Sequence, residues 1–167
     1  MKIAVIALGS NLDGPEHHLQ AACNDLSKLP ESHVLKISSF YRSAPVGYAD
    51  QPDFVNAVLI LHTALPPHEL LRHLQQIENA HGRVRSFTNA PRTLDLDIID
   101  YQGETSNDPL LTLPHPRAHE RAFVMQPLAE IAPDYLLRGR RVAAIAAELD
   151  DSGITRLSTH CHPWENT

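Results

Sequence analysis

Asp95 and Asp97 stand two residues apart in the run Pro91-Arg92-Thr93-Leu94-Asp95-Leu96-Asp97-Ile98. If that run is a β-strand, successive side chains point to opposite faces, so both carboxylates share one face while Leu94, Leu96 and Ile98 share the other. Two like charges held side by side are costly without a cation. Oxygen ligands at this spacing suit Mg2+, which takes one or two carboxylates plus substrate phosphates. An edge strand with a solvated acidic face accounts for the same spacing without any metal. Five arginines, Arg83, Arg85, Arg92, Arg117 and Arg121, surround the run in segments that read as loops or helix starts. Beside a metal they would clamp a polyphosphate and neutralise charge that moves during transfer. Without one they are ordinary surface residues.

Other patterns are weaker. There is no Gly-x-x-x-x-Gly-Lys-Ser/Thr loop, and only Lys2, Lys28 and Lys36 are available to serve one, so any nucleotide is bound by other means. Gly9-Ser10-Asn11 follows an apolar run and reads as a tight strand-to-helix turn, since a single glycine does not make a dinucleotide fingerprint. Among 11 histidines, His115 and His119 are spaced to share a helix face, yet no Cys or HExxH partner completes a zinc site. His115 reads better as a donor to phosphate. Aromatic residues are few, 4 Phe, 4 Tyr and 1 Trp, and each is expected in the core unless another signal intervenes.

The elements that must hold these residues follow from periodicity. A strand runs from about Lys2 to Leu8. A helix follows with Pro15 in its first turn and Leu19, Ala22, Cys23, Leu26 and Leu29 on one stripe, stopped by Pro30. Strands are expected at about His33–Arg42 and Phe54–Thr63. A second helix opens at Pro66-Pro67, carries Leu70, Leu71, Leu74 and Ile77, and ends at Gly82. The acidic run is the next strand, the chain then turns through Pro114-His115-Pro116, and helices follow around 124–131 and 142–149. Several connections are too short for parallel crossovers, so the expected fold class is an α+β sandwich with a mainly antiparallel sheet.

The 167 residues amount to one domain, expected over 1–159, with a polar tail at 160–167 assigned no role. A net charge of -6 disfavours nucleic acid as partner. No apolar stretch is long enough to span a membrane. The two cysteines, Cys23 and Cys161, make no metal spacing, and the first residues read as a strand rather than a signal peptide; a reduced, cytoplasmic chain is expected. Of the 14 basic residues 11 are arginine, the side chain whose rigid fork grips phosphate through two parallel bonds.

The acidic run also resembles the signature of the 6-hydroxymethyl-7,8-dihydropterin pyrophosphokinase family, HPPK. Gly9-Ser10-Asn11-Leu12, Ser39-Phe40-Tyr41-Arg42-Ser43, Gln51-Pro52-Asp53-Phe54-Val55-Asn56-Ala57, Ile77-Glu78 with Gly82-Arg83-Val84-Arg85, Pro114-His115-Pro116-Arg117 and Glu120-Arg121-Ala122-Phe123-Val124 are similar to family blocks in family order. The resemblance covers about residues 3–135. It implies a ferredoxin-like sandwich and transfer of pyrophosphate from MgATP to the hydroxymethyl group of the dihydropterin, leaving AMP. It further implies that Asp95 and Asp97 hold two Mg2+ and that Arg83, Arg92 and Asp97 are catalytic. Gln75, Glu78, Arg83, Arg92, Ile98, Thr112, His115 and Arg121 would meet ATP. Ser43, Ala44, Val46, Phe54, Asn56 and Phe123 would hold the pterin, stacked between the two phenylalanine rings. Loops at about 46–51 and 84–91 would close over the substrates. The chain departs from the pattern in three places: Ser86-Phe87-Thr88-Asn89-Ala90 lacks a tryptophan found in some members, and Phe54 and Pro116 stand where others have tyrosine. No phosphate contact is carried to Pro116. The implied enzyme is a monomer with small-molecule partners only.

Two other readings stand beside this one. A Mg2+-dependent phosphohydrolase or nuclease would use the same aspartates on another phosphate ester. A silent pterin- or nucleotide-binding module would be free to lose Asp95, Asp97, Arg83 or Arg92, all of which are present.

Overall fold

The computed structural model describes residues 1–11, 14–43, 53–81 and 94–160. Strand β1 (Lys2–Ser10) leads to helix α1 (Pro15–Ser27), strands β2 (Ser32–Ile37), β3 (Ser39–Ser43) and β4 (Phe54–Thr63), helix α2 (Pro67–Ala80) and strand β5 (Asp95–Tyr101). A short hairpin, β6 (Ser106–Asp108) and β7 (Leu111–Leu113), precedes a 3-10 turn at Ala118–Glu120. Helix α3 (Ala122–Ile131), the small hairpin β8 (Leu136–Leu137) and β9 (Arg140–Arg141), helix α4 (Val142–Glu148) and strand β10 (Ile154–His160) complete the fold.

The principal sheet runs β10-β3-β4-β1-β5, with β2 also on β4. All its pairings among the described residues are antiparallel. The path β1-α1-(β2, β3)-β4-α2-β5 is the ferredoxin-like β-α-β-β-α-β order. Alternation along the strands divides the interior into two layers. Ala4, Ile6 and Leu8 of β1, Leu59 and Leu61 of β4, and Leu96 and Ile98 of β5 bury against Leu19 and Leu26 of α1 and Leu70 and Leu74 of α2. On the opposite face Val5, Val58, Ile60 and Ile99 bury against Val124, Met125 and Leu128 of α3 and Val142 and Ile145 of α4. The apolar stripes of α1 and α2 therefore point where their spacing predicts.

Three expectations are corrected. The single strand expected at 33–42 is two, bent at the fully buried Ser38. There the serine hydroxyl accepts the Val58 N–H at 2.9 Å in place of a ladder carbonyl, while the Ser38 N–H still donates to the Val58 carbonyl at 2.9 Å. Residues from about Gly153, for which the resemblance offers no counterpart, carry β10 (Ile154–His160) along β3, so the strand runs into the first residue of the tail expected at 160–167. His115 and His119 do not share a helix face, because His115 precedes the 3-10 turn that holds His119. Its N–H instead donates to the Ile99 carbonyl at 2.8 Å and ties the turn to β5.

Candidate active site

Asp95 and Asp97 lie on β5, the edge strand, opposite Gly9 and Ala7 of β1. Gly9 in turn faces Asn56 of β4, and Asn56 faces Tyr41 of β3. Residues opposed across an antiparallel pair point to the same face. The row Asp95-Gly9-Asn56-Tyr41 therefore crosses four strands on the face that α3 covers. The two carboxylates are half-buried, and two residues of strand place them ~7 Å apart along β5. Between them and Asn56 lie only a glycine and an alanine, which leave room above the sheet. At position 9 that room is in use: a Cβ there would stand 3.1 Å from Asn56 Oδ1. The glycine serves by its size.

Asn56 is buried, and its amide donates to Ser43 Oγ at 2.9 Å. That bond fixes the amide plane and leaves its oxygen on the Gly9 side. Phe54 precedes Asn56 by two residues on β4 and so shares its face. Phe123, in the first turn of α3, packs against the inner layer of that face. The guanidinium of Arg121 sits 5.7 Å from the centre of the Phe123 ring, within cation–π range. The two phenylalanines implied for the pterin, and the arginine implied for phosphate, are thus brought to one face with the aspartates.

His115 is half-buried beside them. Burial holds its pKa below the ordinary 6.5, Arg121, Arg138 and His119 push in the same direction, and Asp95 opposes. Its Nδ1 accepts the Arg117 N–H at 3.2 Å, so the proton of the neutral ring belongs on Nε2, which becomes a donor.

The remaining implied nucleotide residues lie around the outer edge of β5. Gln75 is exposed on α2. Thr112 on β7 donates its hydroxyl to the Asp108 carbonyl at 3.1 Å. The Ile98 side chain is buried with α1 and α2, so only its backbone is presented at the edge. Glu78 is buried, and its carboxylate accepts the Leu96 N–H at 2.8 Å. Arg83, Arg85, Arg92, Ala44 and Val46 fall outside the described residues, as do the two implied loops.

One cluster was not expected. Glu130 of α3 accepts the Tyr41 hydroxyl at 2.7 Å, the Ser39 hydroxyl at 3.0 Å and the Ser39 N–H at 3.1 Å, and pairs with Arg156 of β10 at 3.4 Å. Burial, then Glu130, push the Tyr41 phenol far above its ordinary value. The cluster fixes the strand beside Asn56. A single acid in the last turn of α3 gives no sequence signal for it.

No group of three or more metal-type ligands occurs among the described residues. An isolated zinc-type centre is therefore unsupported there. Two half-buried carboxylates on one strand face do fit Mg2+, which completes its shell with water and phosphate oxygens.

Fold and site define a ferredoxin-like α+β protein with a paired-carboxylate site on one sheet face. The family model for 7,8-dihydro-6-hydroxymethylpterin-pyrophosphokinase (HPPK) matches residues 5–133. The 2-amino-4-hydroxy-6-hydroxymethyldihydropteridine pyrophosphokinase of Haemophilus influenzae is 49% identical over 142 residues, 85% of this chain and 89% of the relative. That of Pseudomonas aeruginosa is 46% identical over 153 residues, 91% and 94% of the two chains. A Plasmodium falciparum HPPK-DHPS triple mutant crystallised with pteroate superposes with a TM-score of 0.73 at 14% identity, covering 93% of this chain. This chain spans 46% of that larger one, and the likeness shows the fold. The chain belongs to the HPPK family.

Proposed function

We propose that this chain transfers a pyrophosphoryl group from MgATP to 6-hydroxymethyl-7,8-dihydropterin, giving the pterin diphosphate and AMP, a step of folate biosynthesis. Family membership over residues 5–133 supports the activity. The observation that carries the residue roles is the shared sheet face of Asp95, Asp97, Asn56, Phe54 and Phe123. In the reaction the hydroxymethyl oxygen bonds to the β-phosphorus, the bond from that phosphorus to the oxygen bridging the α-phosphate breaks, and AMP leaves on that oxygen. The hydroxymethyl proton is released.

Asn56 reads the polar edge of the pterin from an amide held by Ser43. Phe54 and Phe123 take its two faces, with the 44–46 backbone at its rim, which orients the hydroxymethyl group. Arg121 and the His115 Nε2–H donate to phosphate oxygens, joined by Arg83 and Arg92. The backbone of Ile98 at the outer edge of β5, with Thr112 and Gln75, receives the nucleoside. Asp95 and Asp97 would hold Mg2+, expected as two ions with ATP, which would supply neutralisation of the phosphate charge. The chemistry is then mostly positioning and electrostatics. We extend the reading to a monomeric, cytoplasmic enzyme of one catalytic domain, residues 1–159. Among the described residues no helix is long and apolar enough to cross a membrane.

The test is nucleotide product analysis with MgATP, with and without the dihydropterin. AMP that forms only with the pterin is expected. ADP as product, or phosphate release without pterin, would overturn the reading in favour of a phosphohydrolase. Saturable pterin binding without turnover would leave a silent module.

A further inference from the structure

We propose that Glu78 is a positioning residue for this reaction: its carboxylate seals the outer edge of β5 at Leu96 and so holds Asp95 and Asp97 facing the substrate side. The proposal rests on the metal role given to those aspartates above.

Among the described residues β5 is the edge of the sheet, paired with β1 on one side only. In an antiparallel pair, alternate residues direct their N–H groups towards the neighbour and away from it. Leu96 donates to Glu78 Oε2 at 2.8 Å, so its N–H points away from β1, and those of Asp95 and Asp97 point towards it. An outward N–H on an edge strand ordinarily meets water. Here Leu96 is 3% exposed, and water is shut out. A buried N–H needs a partner, and Glu78, itself 3% exposed, supplies it from the last turn of α2.

The position of this bond gives it leverage. Leu96 is the residue between the two aspartates. A slip of one residue along β1 would turn both carboxylates into the apolar layer and Leu96 out of it. Packing of Leu96 and Ile98 with Leu74 and Ile77 of α2 opposes the slip, and the hydrogen bond selects the backbone phase. The helix end that bears Glu78 is itself anchored: His81, its C-cap, pairs through Nε2 with Asp25 of α1 at 3.0 Å. Thus α1, α2 and β5 form one continuous support under the aspartates. The Leu96 bond occupies Glu78 Oε2, and a carboxylate has a second oxygen to accept with, so the variants below separate a positioning role from a nucleotide contact.

The experiment compares Glu78→Gln, which keeps an acceptor oxygen of the same reach, with Glu78→Asp, which falls one methylene short, and with Glu78→Ala. In the metal-free protein, amide exchange at Leu96 should quicken at least tenfold in Glu78→Asp and Glu78→Ala and stay near wild type in Glu78→Gln. In the assay, the Mg2+ concentration for half-maximal AMP formation should rise at least fivefold in the first two, with KM for the pterin within twofold. Glu78→Gln should recover most of the loss. If Glu78→Ala does not fold, the Gln and Asp variants decide. Unchanged Leu96 exchange and Mg2+ dependence in Glu78→Asp would overturn the proposal. So would a Glu78→Gln variant as impaired as Glu78→Asp through KM for ATP, since that pattern belongs to a carboxylate touching nucleotide. Wild type that makes no AMP would sink the functional reading instead, while the exchange result would still report on the edge bond.

Discussion

Asp95 and Asp97 are half-buried on one face of β5, and like charges on one face disfavour each other's ionised form. Asp97→Asn takes away one of two like charges and, on the proposed reading, a metal ligand. AMP formation should fall by ~100-fold or more, while chemical denaturation should show a change within about 0.5 kcal/mol. Full turnover of the variant at low Mg2+ would refute the ligand role. Gly9 acts through space. Gly9→Ala places a methyl 3.1 Å from Asn56 Oδ1, and the displaced amide should cost about 1 kcal/mol, or roughly fivefold in pterin affinity by titration calorimetry. His115 is governed by burial first and then by Arg121. A histidine whose folded pKa lies below its unfolded value stabilises the fold above the unfolded value, and that contribution is lost as pH falls through the folded one. In the metal-free protein, the imidazole resonances of His115 should therefore titrate below 6.5. Arg121→Ala should move the midpoint upward without restoring it fully, because burial remains. A wild-type midpoint above 6.5 would contradict the placement of this ring.

At the scale of elements, Ser38 shows how one side chain shapes a sheet edge. Its hydroxyl is the acceptor for the buried Val58 N–H, so Ser38→Ala orphans that donor and should destabilise the protein by about 1–3 kcal/mol in urea unfolding. A change below 0.5 kcal/mol would mean the strands re-pair without it. Such a bond joins residues 20 apart in sequence, which is why periodicity alone merges β2 and β3 into one strand. The helices were legible because α1 and α2 bury single apolar stripes. β10 was not, because Thr155, Arg156 and Ser158 give Ile154–His160 little apolar pattern, and only the neighbour β3 makes it a strand. The aspartate pair was legible because alternation holds from Leu94 to Ile98. Beyond that the register shifts, with Val5 opposite Asp100 and Ile6 opposite Ile98. The extra residue, Ile99, turns Asp100 to the α3 face, where the Tyr135 hydroxyl donates to it. A bulge of this kind is set by both strands at once, as the Glu130 cluster is set by three elements at once.

For the whole molecule, the sheet separates two supports with different tasks. One layer, α1 and α2, is dense with leucine and holds the backs of β1, β4 and β5. The other, α3 and α4, packs on the opposite face against Val5, Val58, Ile60 and Ile99, the face that also carries Asp95, Asp97 and Asn56. The net charge of the chain is -6, and the aspartates add local negative charge where the proposed reading puts the polyphosphate. ATP alone should therefore bind poorly, and Mg2+ alone should find only two carboxylates; each needs the other. Ligand that binds only the folded chain raises stability by about 2.7 kcal/mol at 100 times its Kd, which for a chain of this length is a rise of roughly 5–10 °C in Tm. With Mg2+ and a non-hydrolysable ATP analogue together, scanning calorimetry should show a shift of that order. The analogue in excess EDTA, or Mg2+ without nucleotide, should each give less than a third of it. Asp97→Asn should lower the combined shift towards the single-ligand values, while its unliganded Tm stays near wild type. Equal shifts with and without EDTA would show that nucleotide binding does not pass through the paired carboxylates, and would remove the support for placing Mg2+ there.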